Sequence, residues 1–436
     1  MRDETTKAIP ARSVAGRAMA ALTRTMLLVG AGLGTTAQAS ADDTTTAIGN
    51  MLGKDSEVIL QLRTYALDRH PPGQAQEAWA AGGWLDYRSG WLADALRFGV
   101  VGYTSQSVWA PADTSGTLLL SPTQGGYSVL GQSFVSLKIA GQVLTGGRFE
   151  VRQPEVNPED NRMTPNTFEG GNLSGQIGGV AYYLAYLNAM KTRNATSFDN
   201  FATVAGAPAG VSSPLWLIGL DAEPVKGLGL HLSSYHVPDI LDSTYGDAIW
   251  LTDLNDRYKL RLSGQAMYQN STNSNALTGS PFWSWAGGVK ADLIAGPAIA
   301  TLGYTQIGRG ANYQSPYGGW AGYTYMIDQS FDKAGQRAWL IAGTYDFAGL
   351  GAPGMVLNAA VTIGRDAIDP STGAPQANQT EYDMTLDYRF TAERWPGWLR
   401  PLWLRGRAAI VEQSLSGTDS RITDYRIIVN YPWTLK

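Results

Sequence analysis

Apolar and polar side chains alternate strictly along several segments of this chain, and this alternation constrains the fold more than any other feature. From residue 382 to residue 390 the even positions are apolar or aromatic, whereas the odd positions are Asp383, Thr385, Asp387 and Arg389. Such alternation places the two sets on opposite faces of an extended strand. Residues 258–268 repeat the pattern, with a tyrosine at each end of the apolar face. Similar segments are residues 58–65, 339–347, 355–363, 402–411 and 425–431.

An apolar face bounded by aromatic side chains is typical of a strand that crosses a bilayer, because tyrosine and tryptophan lie at the two interfaces. The chain contains 21 tyrosines and 14 tryptophans, and a mean hydropathy of −0.15 is too polar for a helical membrane protein. A soluble all-β sandwich or propeller is the alternative, but its strands do not need aromatic residues at both ends, and no blade-length repeat is visible. The sequence therefore predicts an all-β, transmembrane antiparallel β-barrel.

The amino terminus has the pattern of a secretory signal peptide. Five basic residues, at positions 2, 7, 12, 17 and 24, precede an apolar run that extends to about residue 34 and is followed by small residues. The run is too short to cross a bilayer as a helix. We expect residues 1–39 to be the signal peptide, with cleavage after Ala39 or after Ala41. Residues 40–57 then form a short polar segment, and residues 58–436 form a single transmembrane barrel.

Tight turns and long polar loops alternate between the candidate strands. Residues 295–297 and 350–354 are short and rich in Gly and Pro, whereas residues 194–213, 270–280 and 366–380 are long and rich in Ser, Asn and Thr. Outer-membrane barrels have short periplasmic turns and long extracellular loops. They also close with an even number of strands, so about seventeen candidate strands indicate a barrel with an even strand number close to this count. We expect location in a bacterial outer membrane, with its lipid and the barrel-assembly machinery as partners.

Residues 159–174, EDNRMTPNTFEGGNLS, resemble the pore-folding loop of the OprD-type outer-membrane porins, the substrate-specific channels for small carboxylates and basic amino acids. The pattern D-x-R-x-x-P-x-T-F-E-G is met by Asp160, Arg162, Pro165, Thr167, Phe168, Glu169 and Gly170. Residues 62–65, 345–347 and 425–432 are similar to further segments of the family, in the same order. The resemblance implies 18 strands and an extracellular loop folded into the lumen.

Alternation directs a group of basic side chains into the predicted lumen. Four arginines of the last three strands face inward, and barrel closure brings the first strand, with Arg63, beside Arg426. A carboxylate can move between guanidinium groups through bidentate hydrogen bonds, and the family is described by such an arginine ladder. The predicted basic track comprises Arg63, Arg389, Arg405, Arg407 and Arg426, with Arg261, Lys138 and Arg148 as further members. The alternative is that these arginines only neutralise Asp383, Asp387 and Asp424.

The loop that resembles the family's pore-folding loop is acidic. It spans roughly residues 150–170 and contains Glu155, Glu159, Asp160, Arg162 and Glu169. Opposite a basic wall, such a loop creates a transverse field that orients a zwitterion at the constriction. For Asp160, Arg162 and Glu169 we favour another role, in which internal pairs fasten the loop to the wall.

Other functional classes have little support in the sequence. The three histidines, His70, His231 and His236, show no spacing that singles out a Ser-His-Asp triad. Cysteine is absent and histidines are few, so the sequence indicates no metal-ligand cluster, and 37 acidic against 33 basic residues give no reason to expect a nucleic-acid partner. A transporter of hydrophobic substrates needs an apolar amino-terminal plug, whereas residues 41–57 are few and polar.

The sequence therefore predicts a porin, monomeric or loosely trimeric, that works without a cofactor. Small anionic or zwitterionic solutes, such as amino acids and aromatic or other organic acids, diffuse passively along its basic track. A less selective general or sugar-passing porin is the alternative, and an outer-membrane barrel enzyme is a third, less favoured, hypothesis.

Overall fold

The computed structural model describes residues 41–435, so the predicted signal peptide, residues 1–39, lies outside the described residues. Helix α1, Ala41–Gly49, belongs to one compact unit, and a second unit begins at Asn50. The second unit opens with a π-helical turn, Asn50–Lys54, in which Met51 is buried. Among residues 41–435 no helix is long and apolar enough to cross a bilayer.

Strands account for most of the second unit. The first nine are β1 (Glu57–His70), β2 (Gln76–Arg88), β3 (Leu96–Trp109), β4 (Tyr127–Ile139), β5 (Gln142–Phe149), β6 (Thr167–Ile177), β7 (Val180–Lys191), β8 (Leu215–Val225) and β9 (Leu228–Val237). The second nine are β10 (Leu241–Asp253), β11 (Tyr258–Ser271), β12 (Trp283–Ala295), β13 (Ala298–Ile307), β14 (Arg337–Asp346), β15 (Met355–Arg365), β16 (Asn378–Arg389), β17 (Trp403–Leu415) and β18 (Thr418–Thr434). Short helices follow β7 and β14 and precede β17: α2 (Phe201–Ala205) and two 3₁₀ turns, Phe347–Leu350 and Gly397–Leu399.

All eighteen strands form one closed antiparallel sheet. Each strand pairs with its neighbours in sequence, and β1 pairs with both β2 and β18. Closure means that none of the eighteen described strands lies at a free sheet edge, as a sheet surrounded by lipid requires. The predicted transmembrane barrel, and the 18 strands that the resemblance implied, are confirmed.

The two faces of the barrel follow the alternation of the sequence. On β16 the outward side chains of Tyr382, Met384 and Leu386 are 44, 51 and 38% exposed, whereas the inward Glu381 is buried. Alternate residues of β16 therefore lie on opposite faces of the barrel, as the alternation in the sequence predicts. Leucine, isoleucine, valine and aromatic side chains dominate the exposed large apolar residues of the described chain.

The connections differ between the two edges of the barrel. At one edge the turns are tight: Gly178 and Gly179 connect β6 to β7 with φ of 56° and 86°, a conformation that glycine adopts without a steric penalty. At the other edge we number the loops in chain order. The four that matter below are L2 (residues 110–126), L3 (residues 150–166), L4 (residues 192–214) and L7 (residues 308–336).

Three of these loops share an apolar cluster inside the barrel. Val151 and Val156 of L3, Phe201 of L4 and Tyr317 of L7 are all buried together with inward residues of the wall. The Phe201 ring meets the Tyr317 ring edge-on, with 5.1 Å between ring centroids. The lumen of a large outer-membrane barrel is usually polar. Here the apolar cluster packs the loops together as a folded insert, and this insert narrows the aqueous path.

Candidate functional site

L3 crosses the barrel from one wall to the other. Its Asp160 forms an ion pair with Arg63 of β1, with 2.6 Å between Nη1 and Oδ1. Its Glu155 accepts hydrogen bonds from Ser243 of β10, at 2.9 and 3.0 Å. In an 18-stranded ring β1 and β10 lie on opposite sides, so the loop that joins these contacts spans the lumen. This matches the inward loop that the resemblance implied.

Arg63 is fully engaged in this attachment. Its Nη1 also donates to the carbonyl oxygen of Arg162 at 2.6 Å, and its Nε donates to Oδ1 of Asn430 at 2.8 Å. The guanidinium therefore fastens L3 to the seam between β1 and β18. The expected proximity of Arg63 to Arg426 is wrong, because Arg63 is opposite Asn430 whereas Arg426 is opposite Leu67, four positions further along the strand.

Arg162 and Glu159 attach L3 to its neighbouring loops. The Nε of Arg162 donates to the carbonyl oxygen of Thr117 in L2 at 2.8 Å. Burial lowers the pKa of Arg162 to about 10, so the side chain remains charged at neutral pH. Glu159 forms an ion pair of 3.0 Å with Arg193 in L4. Both side chains thus hold the loop in place, which is the role favoured for Arg162.

Glu155 lies inside the folded insert and does not face the basic wall. Its side chain accepts hydrogen bonds from the hydroxyl groups of Ser243 and Tyr313, the latter at 2.6 Å, and only 3% of the residue is exposed. Among the described residues no cationic group forms an ion pair with it. Burial raises the pKa of Glu155 to about 7. The expectation that this carboxylate contributes to a transverse field is therefore wrong.

L7 forms the second side of the constriction. Its backbone packs on L3, where the Asn157 amide donates to the Tyr317 carbonyl oxygen at 3.3 Å and Oδ1 of Asn157 accepts from the Gly319 amide at 3.1 Å. Farther along, the amides of Asp328 and Gln329 donate to Glu381 of β16 at 2.7 and 2.8 Å. The alternation and the family resemblance did not indicate this loop. Its length and its density of glycine and tyrosine were the available signals.

Side chains and backbone from L7 also bind the wall near the seam. Asp328 accepts from Arg69 of β1 at 2.5 and 3.1 Å, and Arg426 donates to the carbonyl oxygen of Ile327 at 3.0 Å. The Ile327 amide donates to Oδ2 of Asp383 at 2.9 Å. Three strands, β1, β16 and β18, therefore hold the end of L7 in one position.

Between the loops and the wall lies a cavity of about 350 Å³. Its charged lining consists of Lys290, Asp292, Asp383, Arg407 and Arg426, and the remainder includes Asn161 of L3 and Tyr323, Tyr325, Met326 and Ile327 of L7. Both signs of charge face this space. The cavity is therefore bounded by the wall and by both loops at once.

The cations of this cavity differ in how they are partnered. Arg426 forms a bidentate pair with Asp424, at 2.7 and 2.6 Å, and is buried. Arg407 is its register partner on β17, and among the described groups it donates only to the Thr385 hydroxyl, at 3.3 Å. Lys290 lies 4.8 Å from the ring centroid of Tyr323. Within residues 41–435 neither Arg407 nor Lys290 has a carboxylate within 4 Å, so both can receive an anionic group.

Two further arginines continue along the wall toward the edge with tight turns. Arg405 lies two residues before Arg407 on β17 and is held by Asp387, at 2.7 and 2.9 Å. Arg389, at the end of β16, forms no ion pair among the described side chains. The guanidinium carbons of Arg389 and Arg405 lie 4.2 and 4.5 Å from the ring centroid of Trp403. Four of the predicted track residues thus follow one another on β16, β17 and β18.

The remaining predicted track residues lie elsewhere and are paired. Lys138 of β4 binds Asp94 at 2.8 Å, and Arg148 of β5 binds Glu169 at 2.7 Å. Arg261 of β11 binds Asp292 at 2.7 Å, next to the cavity. L3 ends before β6 begins, so Glu169 belongs to a strand and not to the loop in which the sequence analysis placed it.

One group of described side chains has the spacing of a metal site. Asp68, His70 and Glu77 bring three ligand atoms within 4.8 Å of one another. They lie near the ends of β1 and β2, away from the constriction, and two of the three are exposed. Their neighbours Leu67 and Ala78 are buried on the inward face, so Asp68 and Glu77 lie on the outward face of the barrel.

Comparison with known proteins agrees with the barrel fold. Residues 53–435 match the family model described as outer membrane porin, OprD family. The chain is 23% identical to the porin-like protein GalP of Pseudomonas putida over 87% of this chain and 92% of that protein.

Solved structures have the same fold. OccK9 (OpdG) of Pseudomonas aeruginosa superposes with a TM-score of 0.78 at 22% identity, over 88% of this chain and 100% of that chain. A BenF-like porin from Pseudomonas fluorescens gives 0.78 at 20% identity over 88% and 100%, and Pseudomonas aeruginosa OpdK, solved with vanillate, gives 0.76 at 20% over 87% and 99%. Because the family model covers most of its length, the chain belongs to the OprD family of outer membrane porins.

Proposed function

We propose that this porin selects small carboxylate-bearing solutes, and that Arg407 is the principal site at which it recognises them. Membership of the family makes the chain an outer-membrane channel and not an enzyme. The main support for selectivity toward carboxylates is the environment of Arg407. Its guanidinium lines the cavity at the constriction and has no carboxylate within 4 Å among the described residues.

A carboxylate that enters the cavity can accept two hydrogen bonds from the Arg407 guanidinium. Hydrogen bonds to a charged group contribute roughly 1.5–3 kcal/mol, and a neutral solute of the same size gains less. Arg426 is already paired with Asp424, so its positive charge is largely neutralised. Arg407 can therefore bind a solute carboxylate more readily than Arg426, because Arg426 already has a carboxylate partner.

Release requires that no contact along the path hold the solute too tightly. Arg405 shares its guanidinium with Asp387 and Trp403, so a solute carboxylate must compete with Asp387 for it. Arg389 is exposed and close to the same tryptophan ring. The sequence Arg407, Arg405, Arg389 thus offers a carboxylate successive contacts, none of which holds it permanently.

The opposite end of a zwitterion has partners in the same cavity. Asp383 lines this cavity, and its Oδ2 accepts from the Ile327 amide at 2.9 Å. An ammonium group in the cavity would be attracted to the acidic side chain of Asp383. An amino acid could therefore bind Arg407 with its carboxylate and Asp383 with its ammonium group.

Relatives support the proposed class of solute. OpdK was solved with vanillate, which is a carboxylate. The cavity volume of about 350 Å³ is at the small end of ligand sites in proteins, which suits a single amino acid or aromatic acid.

A liposome-swelling panel of amino acids, aromatic acids, dicarboxylates and sugars tests the proposal. Carboxylates should enter faster than neutral sugars of similar size. If the sugars enter equally fast, the channel is a less selective porin. In that case Arg63, Arg405 and Arg426 serve only in their internal ion pairs.

A further inference from the structure

A polar pocket of about 660 Å³ lies on the barrel near the edge that carries the long loops. It is formed by the ends of four adjacent strands and is lined by Arg365, Asn378, Thr380, Glu412, Gln413, Ser414, Asp419, Ser420 and Arg421. Most of these side chains belong to the outward face, because their neighbours Gln379, Glu381 and Val411 are the buried, inward members of the alternation. The pocket therefore opens beside the lipid and not into the lumen.

The outer surface changes from apolar to polar over one step along the strands. Thr380 is the register partner of Glu412, which is in turn the partner of Arg421. Two residues closer to the edge with tight turns, Tyr382 is the partner of Ile410. Tyrosine is enriched at the boundary between hydrocarbon and headgroups. The polar residues Thr380, Glu412 and Arg421 therefore lie at the level of the lipid headgroups.

Both arginines of the pocket lack an anionic partner. The Nη1 of Arg365 donates to the backbone oxygens of Gly364 and Gln379, at 2.9 and 3.0 Å, which holds the side chain against the sheet. Arg421 faces Glu412 across the strand pair, yet in the described part of the chain neither arginine has a carboxylate within 4 Å. The neighbouring Arg337 of β14, by contrast, pairs with Asp366 at 2.5 Å.

From this arrangement we propose that the pocket binds the phosphorylated sugar headgroup of an outer-leaflet lipid. The guanidinium groups of Arg365 and Arg421 bind phosphate oxygens, which they match as planar donors. The side chains of Glu412 and Asp419 accept hydrogen bonds from sugar hydroxyl groups. The acyl chains lie along the apolar surface that begins at Tyr382 and Ile410.

A lipid fits better than free phosphate because the pocket adjoins the lipid-facing surface directly. A soluble anion would use the arginines but leave the acceptors Glu412 and Asp419 unused and the adjoining apolar surface without a role. Basic pockets at the membrane interface bind anionic headgroups in the same way. The inference is independent of the solute that the lumen carries, so it stands or falls separately from the proposed function.

The test is lipid retention by the full barrel, measured by native mass spectrometry after reconstitution with one of two lipids. One is a bis-phosphorylated glucosamine-disaccharide lipid, and the other is the same lipid after enzymatic removal of its phosphates. The variant is Arg365→Ala/Arg421→Ala, and the matched control is Lys226→Ala/Arg257→Ala, which removes two exposed cations from tight turns at the opposite edge.

We expect the double variant to retain roughly tenfold less phosphorylated lipid than the parent, since two charged contacts are lost, while the control retains the parental amount. The dephosphorylated lipid should bind parent and variant equally weakly. Equal retention of phosphorylated lipid by parent and variant would overturn the proposal, as would tight binding of the phosphate-free lipid. If the alanine variant fails to fold, Arg365→Gln/Arg421→Gln gives the same reading with a smaller change in volume.

Two further arms separate the lipid from other occupants. Inorganic phosphate added in excess should not displace the bound lipid, and displacement would indicate an anion site without lipid specificity. The chain contains no cysteine, so Thr380→Cys places a single thiol in the pocket. Efficient disulfide cross-linking between barrels through this thiol would show that a second copy covers the face, and would contradict the proposal.

Discussion

Inward arginines of this barrel differ in function because they differ in partners. Arg63 donates to Asp160, to the Arg162 backbone and to Asn430, so it holds L3 to the wall. Arg407 faces the cavity with a single weak side-chain contact. Removing Arg63 should therefore change the position of L3, whereas removing Arg407 should change selectivity without moving a loop.

The pair of Arg63 and Asp160 gives a first prediction. The Arg63 side chain is 9% exposed and that of Asp160 is 40% exposed, so the pair is partly shielded from water. A double-mutant cycle of Arg63→Ala and Asp160→Ala should show a coupling of about 0.5–3 kcal/mol in the free energy of unfolding. Pairing Arg63→Ala with Asp387→Ala, whose partner is Arg405, should give additive effects. Additivity in both cycles would mean that this ion pair does not hold L3.

Glu155 gives a prediction about pH. Its pKa is raised to about 7 by burial, against an ordinary value near 4.3, so the folded barrel keeps the proton that the unfolded chain releases. The contribution of Glu155 to the free energy of unfolding is therefore greatest at low pH and falls as pH rises from about 4.5 to 7, by roughly 3 kcal/mol in total. Burial also raises the pKa of the neighbouring Tyr313 and Tyr317, so both stay neutral over this range.

Urea titrations of the reconstituted barrel at about pH 5 and pH 8 measure this effect. Glu155→Gln should remove most of the difference between the two pH values, because the amide cannot ionise. Glu159→Gln is the matched control, since Glu159 lies in the same loop but pairs with Arg193, and it should keep the parental difference. An unchanged difference in Glu155→Gln would show that this carboxyl group is not the titrating one.

At the scale of elements, L3 and L7 form one insert and neither defines the constriction alone. Asn157 joins them through its backbone and its side chain, and both loops line the cavity. The sequence indicated L3 through its resemblance to a known loop. It did not indicate L7, because long-range packing of a loop leaves no periodic signal, and the contact of Tyr317 with Asn157 depends on where L3 already lies.

Shortening L3 should open the lumen. Deleting residues 157–163 removes the connection to L7 and the ion pairs of Glu159 and Asp160, while the strands remain intact. Because an 18-stranded barrel without an inward loop leaves a wide aqueous channel, single-channel conductance should rise severalfold. Planar-bilayer recordings measure this. Deletion of the exposed residues 371–374 between β15 and β16 should leave conductance unchanged, and a parental conductance in the L3 deletion would place the loop outside the pore.

At the scale of the whole molecule, alternation was sufficient to predict the barrel and the face on which each arginine lies. Arg389, Arg405, Arg407 and Arg426 lie on one wall as expected. Alternation does not give the register between distant strands, so Arg63 is opposite Asn430 and not beside Arg426. Nor does it give partners: Glu155 is buried among hydroxyl groups, which no local pattern around it indicates.

The most direct test compares a carboxylate with its neutral amide, for example benzoate and benzamide, in parent and Arg407→Gln barrels. The two solutes have nearly the same size, so liposome uptake at low concentration reports charge recognition once the uptake by porin-free liposomes, which both solutes enter through the bilayer, has been subtracted. We predict that the parent takes up benzoate faster and that Arg407→Gln loses roughly a factor of ten in this preference, since a bidentate charged contact disappears. Arg257→Gln, at an exposed turn, should keep the parental preference. An unchanged preference in folded Arg407→Gln would contradict the account.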